Sequence, residues 1–272
     1  MNKYSISPFE MVASFSRNRA LIYVLTKREI TGRYRGSYFG ILWSFINPIF
    51  MLLVYTIFFG RILQVRWGVG EDSNAQFGLI LFAGLIMFNF FSESLNRAPT
   101  LIINNPNFVK KVVFPIEVLP WVSVGTALFH LLISLTAWFL GYVFLVGAPQ
   151  STFSLALAII IPPVFLTIGF SWMLASLGVY FRDVSQLIGP MMMALMFLSP
   201  VFFPLSALPE KFRLLISISP ITPAIVQFRE ILFFGTTPTL FSYGMYLLIS
   251  LVIAWLGFAW FQKTRNGFAD VV

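Results

Sequence analysis

Lys27, Arg28, Arg33 and Arg35 place four basic side chains within nine positions, and the 25 residues that follow, 36–60, contain no Asp, Glu, Lys or Arg. A guanidinium offers a fork suited to phosphate, and each cation near an anionic surface contributes roughly 1 kcal/mol. These four therefore suit an anionic phosphate group at a membrane surface. Topology alone would demand the same residues, because basic side chains gather on the cytoplasmic side of any polytopic chain. Other chemistry is sparse. Glu93, Glu117 and His130 nearly exhaust the ionisable groups at membrane depth, and their order marks no catalytic constellation. His130, in "ALFHLLIS", has no acid or base in its own span, so it reads as a neutral residue hydrogen-bonded between helices rather than a proton relay. A single histidine and no cysteine exclude multi-histidine and thiolate metal sites, and no nucleotide-binding P-loop, zinc, flavin or nicotinamide fingerprint occurs. No catalytic residue, metal site or cofactor is expected on this chain.

Aromatic rings are the second candidate chemistry. A ring stacks on the apolar face of a sugar without fixing one hydrogen-bond pattern, and Tyr and Trp add a polar tip. Tyr38, Phe39, Trp43, Phe50 and Tyr55 lie along the uncharged run, and Phe197, Phe202 and Phe203 lie far downstream. Rings so placed would serve as stacking surfaces. The competing explanation is abundance: there are 32 Phe in the chain, and Trp and Tyr collect at membrane interfaces regardless.

The elements that must carry these residues are membrane helices. The chain is 58% hydrophobic and 10% charged, where a soluble domain carries about a quarter charged residues. Its net charge of +8 fits loop asymmetry in a membrane chain better than nucleic-acid binding. Charge-free intervals and turn signals predict one all-α integral membrane domain over residues 1–272, with spans at 36–60, 75–93, 118–146, 152–180, 184–203 and 240–262. Gly147-Ala148-Pro149-Gln150 divides the third span from the fourth. With six spans, 13 basic residues share the side of both termini and 5 lie opposite, which puts both termini in the cytoplasm. Residues 9–32 read as a helix in the cytoplasmic interface, with Met11, Phe15 and Ile22 near one face; no signal peptide precedes it.

Two connections stand out. Residues 204–236 are cut by Pro220 and Pro223, so they are expected to dip into the outer leaflet and return; Ile221, Ile225, Phe228 and Leu232 share a face, with Arg229 and Glu230 off it. In the inner loop 98–111, Pro99 starts a helix and Asn104-Asn105-Pro106 stops it. That short helix bears Leu101, Ile102 and Ile103 and precedes Lys110 and Lys111. It suits either a packed connector or a knob docked on a cytoplasmic partner. At the other inner turn, "YFRDVSQLIGP", Asp183 is expected to cap the next helix, with Gln186 reaching back. Charged residues within spans normally mark ion-coupled pumps, and their scarcity here implies that energy for transport comes from a partner.

The ordered set "RYRGSYFGILWSFINPIFMLLVYTIFFG", "FNFFSESLNRAPTLIINNPNFVKKVVFPIEVLP", "GVYFRDVSQLIGPMMMALMFLSPVFFP" and "ISPITPAIVQFREILFFG" resembles the permeases of ATP-binding-cassette polysaccharide exporters, which move O-antigen, capsule and teichoic acid. The resemblance runs from about Tyr23 to Gln262 and leaves some twenty N-terminal residues without a role. It implies a homodimer of six-span subunits in a bacterial inner membrane, joined to two ATPase subunits that hold ATP and Mg. It also implies a lipid-linked polysaccharide substrate, whose carrier phosphate or pyrophosphate Lys27, Arg28, Arg33 and Arg35 would attract, and a channel at the dimer axis walled by the rings, with Phe197 facing Trp43 and Tyr55 across the dimer. The helix after span two, with Pro99, Leu101, Ile102, Ile103, Lys110 and Lys111, would be the coupling helix, and the returning helices would close the outer mouth. The Asn47-Pro48 break would bend a channel wall or lateral gate. Two alternatives stay open: a related permease for drugs, haem or lipids, and a membrane enzyme acting on lipid-linked sugars, for which Glu29 and Glu117 are the available acids.

Overall fold

The computed structural model describes residues 5–62, 67, 74–109 and 114–271, and every regular element among them is helical. Lys3, Arg66, Lys110 and Lys111 lie outside the described residues, as does the side chain of Arg61. Helix α1 spans Pro8–Arg33. It starts where Ser7 Oγ accepts the Phe9 N–H at 3.2 Å, with Pro8 in the first turn, Glu10 near its N-terminus and Arg33 near its C-terminus. It does more than lie on a surface: Ile22 and Leu25 pack against Val118 and Val122 of a later span, and Phe15 meets the Trp121 ring at 4.6 Å.

A 3-10 turn at Gly40–Leu42 leads into α2, Trp43–Tyr55, which π-helical turns extend over Thr56–Ile62. Pro48 sits inside α2 without ending it, as neighbouring groups in a membrane bundle permit. Helix α3, Asn74–Arg97, is followed by a 3-10 turn at Ala98–Thr100 and the short α4, Pro106–Val109. Pro106 therefore opens a new turn as well as closing the previous one, since its fixed φ suits a first helical position.

The next spans are α5, Val118–Leu145, and the pair formed by α6, Ala156–Ile159, and α7, Ile161–Tyr180. Gly147, at φ +117°, makes the turn between them, a conformation that side-chain-bearing residues rarely adopt. Helix α8, Val184–Phe197, has 14 residues and extends about 21 Å, shorter than the predicted 184–203. Ser199-Pro200 ends it, because a residue before proline is pushed out of the helical region. The expected Asp183 cap is absent. Asp183 itself has helical dihedrals (φ −65°, ψ −21°), so its carboxylate makes no capping bond, and backbone bonds from Gln186 and Leu187 close the turn.

Helices α9, Glu210–Ser217, and α10, Thr222–Arg229, with π turns over Glu230–Phe234, form a pair bent by 101°. The bend falls in the segment expected to return, and Gly235 at φ +67° ends it. Helix α11, Leu240–Thr264, begins at Thr239, whose Oγ1 accepts the Ser242 N–H, and α12, Phe268–Val271, closes the chain. Among the described residues, five stretches are long and apolar enough to cross a membrane, or six if the bent pair counts as one.

Burial is uneven. The α3 stretch is the hub, 83% buried, while the first span, Gly40–Phe59, is only 11% buried. Helices α7 and α11 lie along each other and touch backbone to backbone at Gly169 and Gly257, where a methyl on either would overlap the other helix. Gly178 of α7 likewise seats the Pro99 carbonyl of the loop after α3. Close approach at small residues is how membrane helices associate without a hydrophobic drive.

Candidate functional site

Where α1 ends and α2 begins, a cavity of about 310 Å³ opens between α2, α3 and α5. Its wall brings together residues that the sequence leaves apart: Arg33, Trp43, Asn47, Asn89, Glu93 and His130. Residues four apart share a helix face, so Asn89 with Glu93 and His130 with Ser134 give each span one polar stripe. Those paired stripes were the signal available in the sequence. Searching His130's own span for a partner missed them, because the partners come from other helices. Glu93 accepts from Arg33 at 2.8 Å and from His130 Nδ1 at 2.9 Å, while the Tyr34 hydroxyl donates to His130 Nε2 at 3.1 Å. Arg33 also lies 3.2 Å from His130 Nδ1, so the ring is held by an acid, a guanidinium and a hydroxyl at once. Burial pushes the Tyr34 phenol above its ordinary pKa, which keeps its proton available as that donor. His130 is thus an interhelical hydrogen-bonding residue, within an acid–base cluster that its own span does not reveal.

The four basic residues divide. Arg33 is committed to Glu93, whereas Lys27, Arg28 and Arg35 are exposed and form no ion pair among the described residues. Arg28 instead borders a smaller cavity, about 180 Å³, with Glu29, Leu101, Asn105 and Phe108. Next to it Glu29 pairs with Arg97, which ties α1 to the end of α3. Glu117 receives Arg265 at 2.6 Å and the Ser14 hydroxyl at 3.1 Å, a buried clasp joining α1, α5 and the end of α11. Both acids that an enzyme would use are therefore bound to arginines, and no metal-holding group of acids and histidine occurs among the described residues.

In the loop 98–111, Ile102 is wholly buried in the chain's own core and Pro99 is buried against α7. Of the residues expected to dock, Ile102 therefore anchors the segment in this structure and presents no surface. Leu101 and Ile103 remain half-buried at the surface. The expected face of the returning helices forms as a face, but inward: Ile221, Ile225, Phe228 and Leu232 are each 0% exposed. They hold the segment to the bundle and line no opening in this structure.

Arg229, expected off that face, is buried too, and sequence reasoning missed it. Its guanidinium donates to the carbonyls of Ile80 (3.0 Å), Pro200 (2.9 Å) and Val201 (2.9 Å) and stacks over Trp67 at 4.4 Å. Gly84 leaves room for it, since a methyl there would strike the guanidinium.

The rings fall into two groups. Tyr38, Phe39 and Trp43 meet edge to face at 5.3 and 5.6 Å beside the polar cavity, and Tyr38 is 97% exposed. Towards the returning helices, Tyr55, Phe59, Phe202 and Phe197 form a continuous file, at 6.3, 6.2 and 5.6 Å. Phe197 therefore joins Tyr55 within one protomer, through Phe59 and Phe202. Phe50 is exposed between the groups, and Phe203 is half-buried.

Residues 20–233 match the family of ABC-2 type transporters. The chain is 26% identical to an O-antigen export system permease protein of Myxococcus xanthus, over 96% of this chain and 99% of the relative. It is 27% identical to its namesake in Klebsiella pneumoniae, over 93% and 95%. A polysialic acid transport protein of Escherichia coli is 24% identical, over 93% and 96%.

Proposed function

Given that the chain belongs to the ABC-2 type transporter family, we propose that it is the channel-forming permease subunit of an exporter of lipid-linked polysaccharide. The observation that carries this reading is the bare first span. A helix 11% buried in a protomer, with rings at both ends and a polar cavity at its foot, is unfinished alone. A second copy packed along it completes a pore and makes a homodimer. Two ATPase subunits, holding ATP and Mg, dock at Leu101 and Ile103 and supply the energy. Both termini lie in the cytoplasm of a bacterial cell, beneath the inner membrane, by the asymmetry of basic residues.

Lys27, Arg28 and Arg35, which have no ion-pair partner among the described residues, attract the lipid phosphate at the cytoplasmic mouth. Arg33 joins them when it leaves Glu93. The rings from Tyr38 to Trp43 and from Tyr55 to Phe197 pass the glycan by weak, sequential stacking, since conduction needs binding loose enough to leave each site. The returning helices close the outer mouth. The relatives named for O-antigen and polysialic acid favour a glycan over a drug, haem or simple lipid. The test is Trp43→Leu with Tyr55→Leu, which keeps apolar bulk and removes the polar tips. Surface polysaccharide should fall while subunit assembly and basal ATP hydrolysis persist; full export by the double variant defeats the aromatic pore.

A further inference from the structure

The cavity at the foot of α2 holds more polar groups than its ion pairs use. Asn47 of α2, Asn89 of α3 and Ser134 of α5 all line it, and their side chains form no hydrogen bond among the described residues. Neither does the Trp43 indole N–H, on a ring that is 41% exposed at the same wall. Asn89 is exposed although every other residue from 77 to 91 is buried, so α3 opens its packed surface at this one amide. An amide turned to lipid would be desolvated without a partner. Three helices that send two amides and a hydroxyl, all unpartnered, into one cavity therefore mark a place that receives a polar ligand.

The charges at the wall select the kind of ligand. Arg33 and Glu93 are already paired at 2.8 Å, and Glu93 also meets His130 at 2.9 Å. One cation thus stands against one anion, and none of Lys27, Arg28 and Arg35 lines the cavity. A phosphate would have to break the Arg33 pair and lie against a carboxylate. A cation would find that carboxylate already occupied. What remains suits a neutral ligand rich in hydroxyls, each able to donate to an amide oxygen and accept from an amide N–H. The Trp43 ring beside them supplies a flat apolar face. We propose that this cavity is a subsite for one neutral sugar ring of the transported glycan, with Asn47, Asn89 and Ser134 bonding its hydroxyls and Trp43 covering its apolar face. The proposal rests on reading the chain as a glycan exporter. It makes the two amides specificity-determining residues, because they respond to hydroxyl positions that stacking alone passes over.

The chain has no cysteine, so Ser134→Cys places a single thiol in the cavity wall. The full-length variant with its ATPase partner, in lipid nanodiscs without nucleotide, is treated with a neutral methanethiosulfonate reagent, and labelling of this chain is followed by mass. The probes are the methyl glycosides of glucose, galactose, mannose and N-acetylglucosamine, with inorganic phosphate as the anionic comparison. At least one glycoside should slow labelling about tenfold at saturation, and phosphate should leave the rate unchanged. Adding Asn89→Leu should raise the glycoside concentration for half protection about tenfold, as loss of a ligand hydrogen bond does. A thiol that does not label would mean a cavity closed to water, and protection by phosphate alone would make it an anion site. Labelling that no glycoside slows would leave it holding water only. Each of these overturns the proposal, and so does unchanged protection with Asn89→Leu. The comparison among ligands is made on Ser134→Cys itself and does not depend on Asn89→Leu folding. Export is measured separately, as surface polysaccharide, and can persist without this subsite, so the two readings fail separately.

Discussion

Replacing Arg229 by Met removes a buried cation of nearly the same length and leaves three carbonyls without their donor. Hydrogen bonds to a charged group contribute about 1.5–3 kcal/mol each, so the gross loss is roughly 5–9 kcal/mol. Against that stands the desolvation cost of a buried guanidinium, several kcal/mol, which Met does not incur. Interhelical hydrogen bonds inside membranes also average below their expected strength. The net loss should be about 2–4 kcal/mol, a roughly 30- to 700-fold shift in the folded ratio. For a chain somewhat above 250 residues this lowers Tm by about 5–15 °C. Purified protein in detergent, followed by thermal unfolding, gives the number. Gly84→Ala perturbs the same contact from the opposite wall, because its methyl meets the guanidinium, and should cost about 1–3 kcal/mol by overpacking. If Arg229→Met unfolds within a degree of wild type, the three carbonyls do not hold the returning helix to α3 and α8. The reasoning from buried donors would then be wrong.

Arg33→Gln and Glu93→Gln, with the double variant, should show a coupling of about 0.5–1 kcal/mol in unfolding, modest because the Arg33 side chain is 41% exposed; zero coupling would mean that Glu93 does not hold Arg33. The Glu117→Gln change removes the carboxylate that receives Arg265 in a site where both side chains are 12% exposed or less, and should cost about 1.5–3 kcal/mol in the same assay, as loss of a hydrogen bond to a charged group does. Leu101→Asp should weaken retention of the ATPase subunit at least tenfold in a pull-down, as loss of an apolar anchor does. Ile102→Asp should instead unfold the protomer, because Ile102 is core; release of the ATPase from a folded Ile102→Asp protein would restore Ile102 as a contact.

Much of the architecture is legible in the residues because lipid forbids unsatisfied backbone. The uncharged intervals give the long helices, Gly147 the turn, and Pro220 and Pro223 the returning pair. The site is less legible. Glu93 and His130 stand 37 positions apart on different helices, and Arg33 and Tyr34 come from a third element. Periodicity within one helix reports which face is apolar, not which neighbour meets it. The same blindness affects Ile102, Ile221, Ile225, Phe228 and Leu232. An apolar stripe reads alike whether it awaits a partner, guards a pore or fills the chain's own core. Arg229 was misplaced because a charge beside an apolar face reads as solvated, and the three carbonyls that receive it are far away in sequence.

Pro99 rests on Gly178 backbone against backbone, and α7 in turn meets α11 through Gly169 and Gly257. In mechanical terms these are joints without padding. A side-chain contact yields by changing rotamer, and part of any displacement is absorbed there. Here there is no side chain to yield, so a movement imposed on the loop after α3 passes into α7 and α11 as rigid travel. The two spans then shift as one strut. Compliance is available in α2, where Pro48 interrupts the ladder and π turns follow over Thr56–Ile62, and in α8, where Pro190 lies inside the helix. The molecule thus pairs a stiff two-helix strut with a first span that is free to bend, and among the described residues the two are joined mainly through α3 and α5.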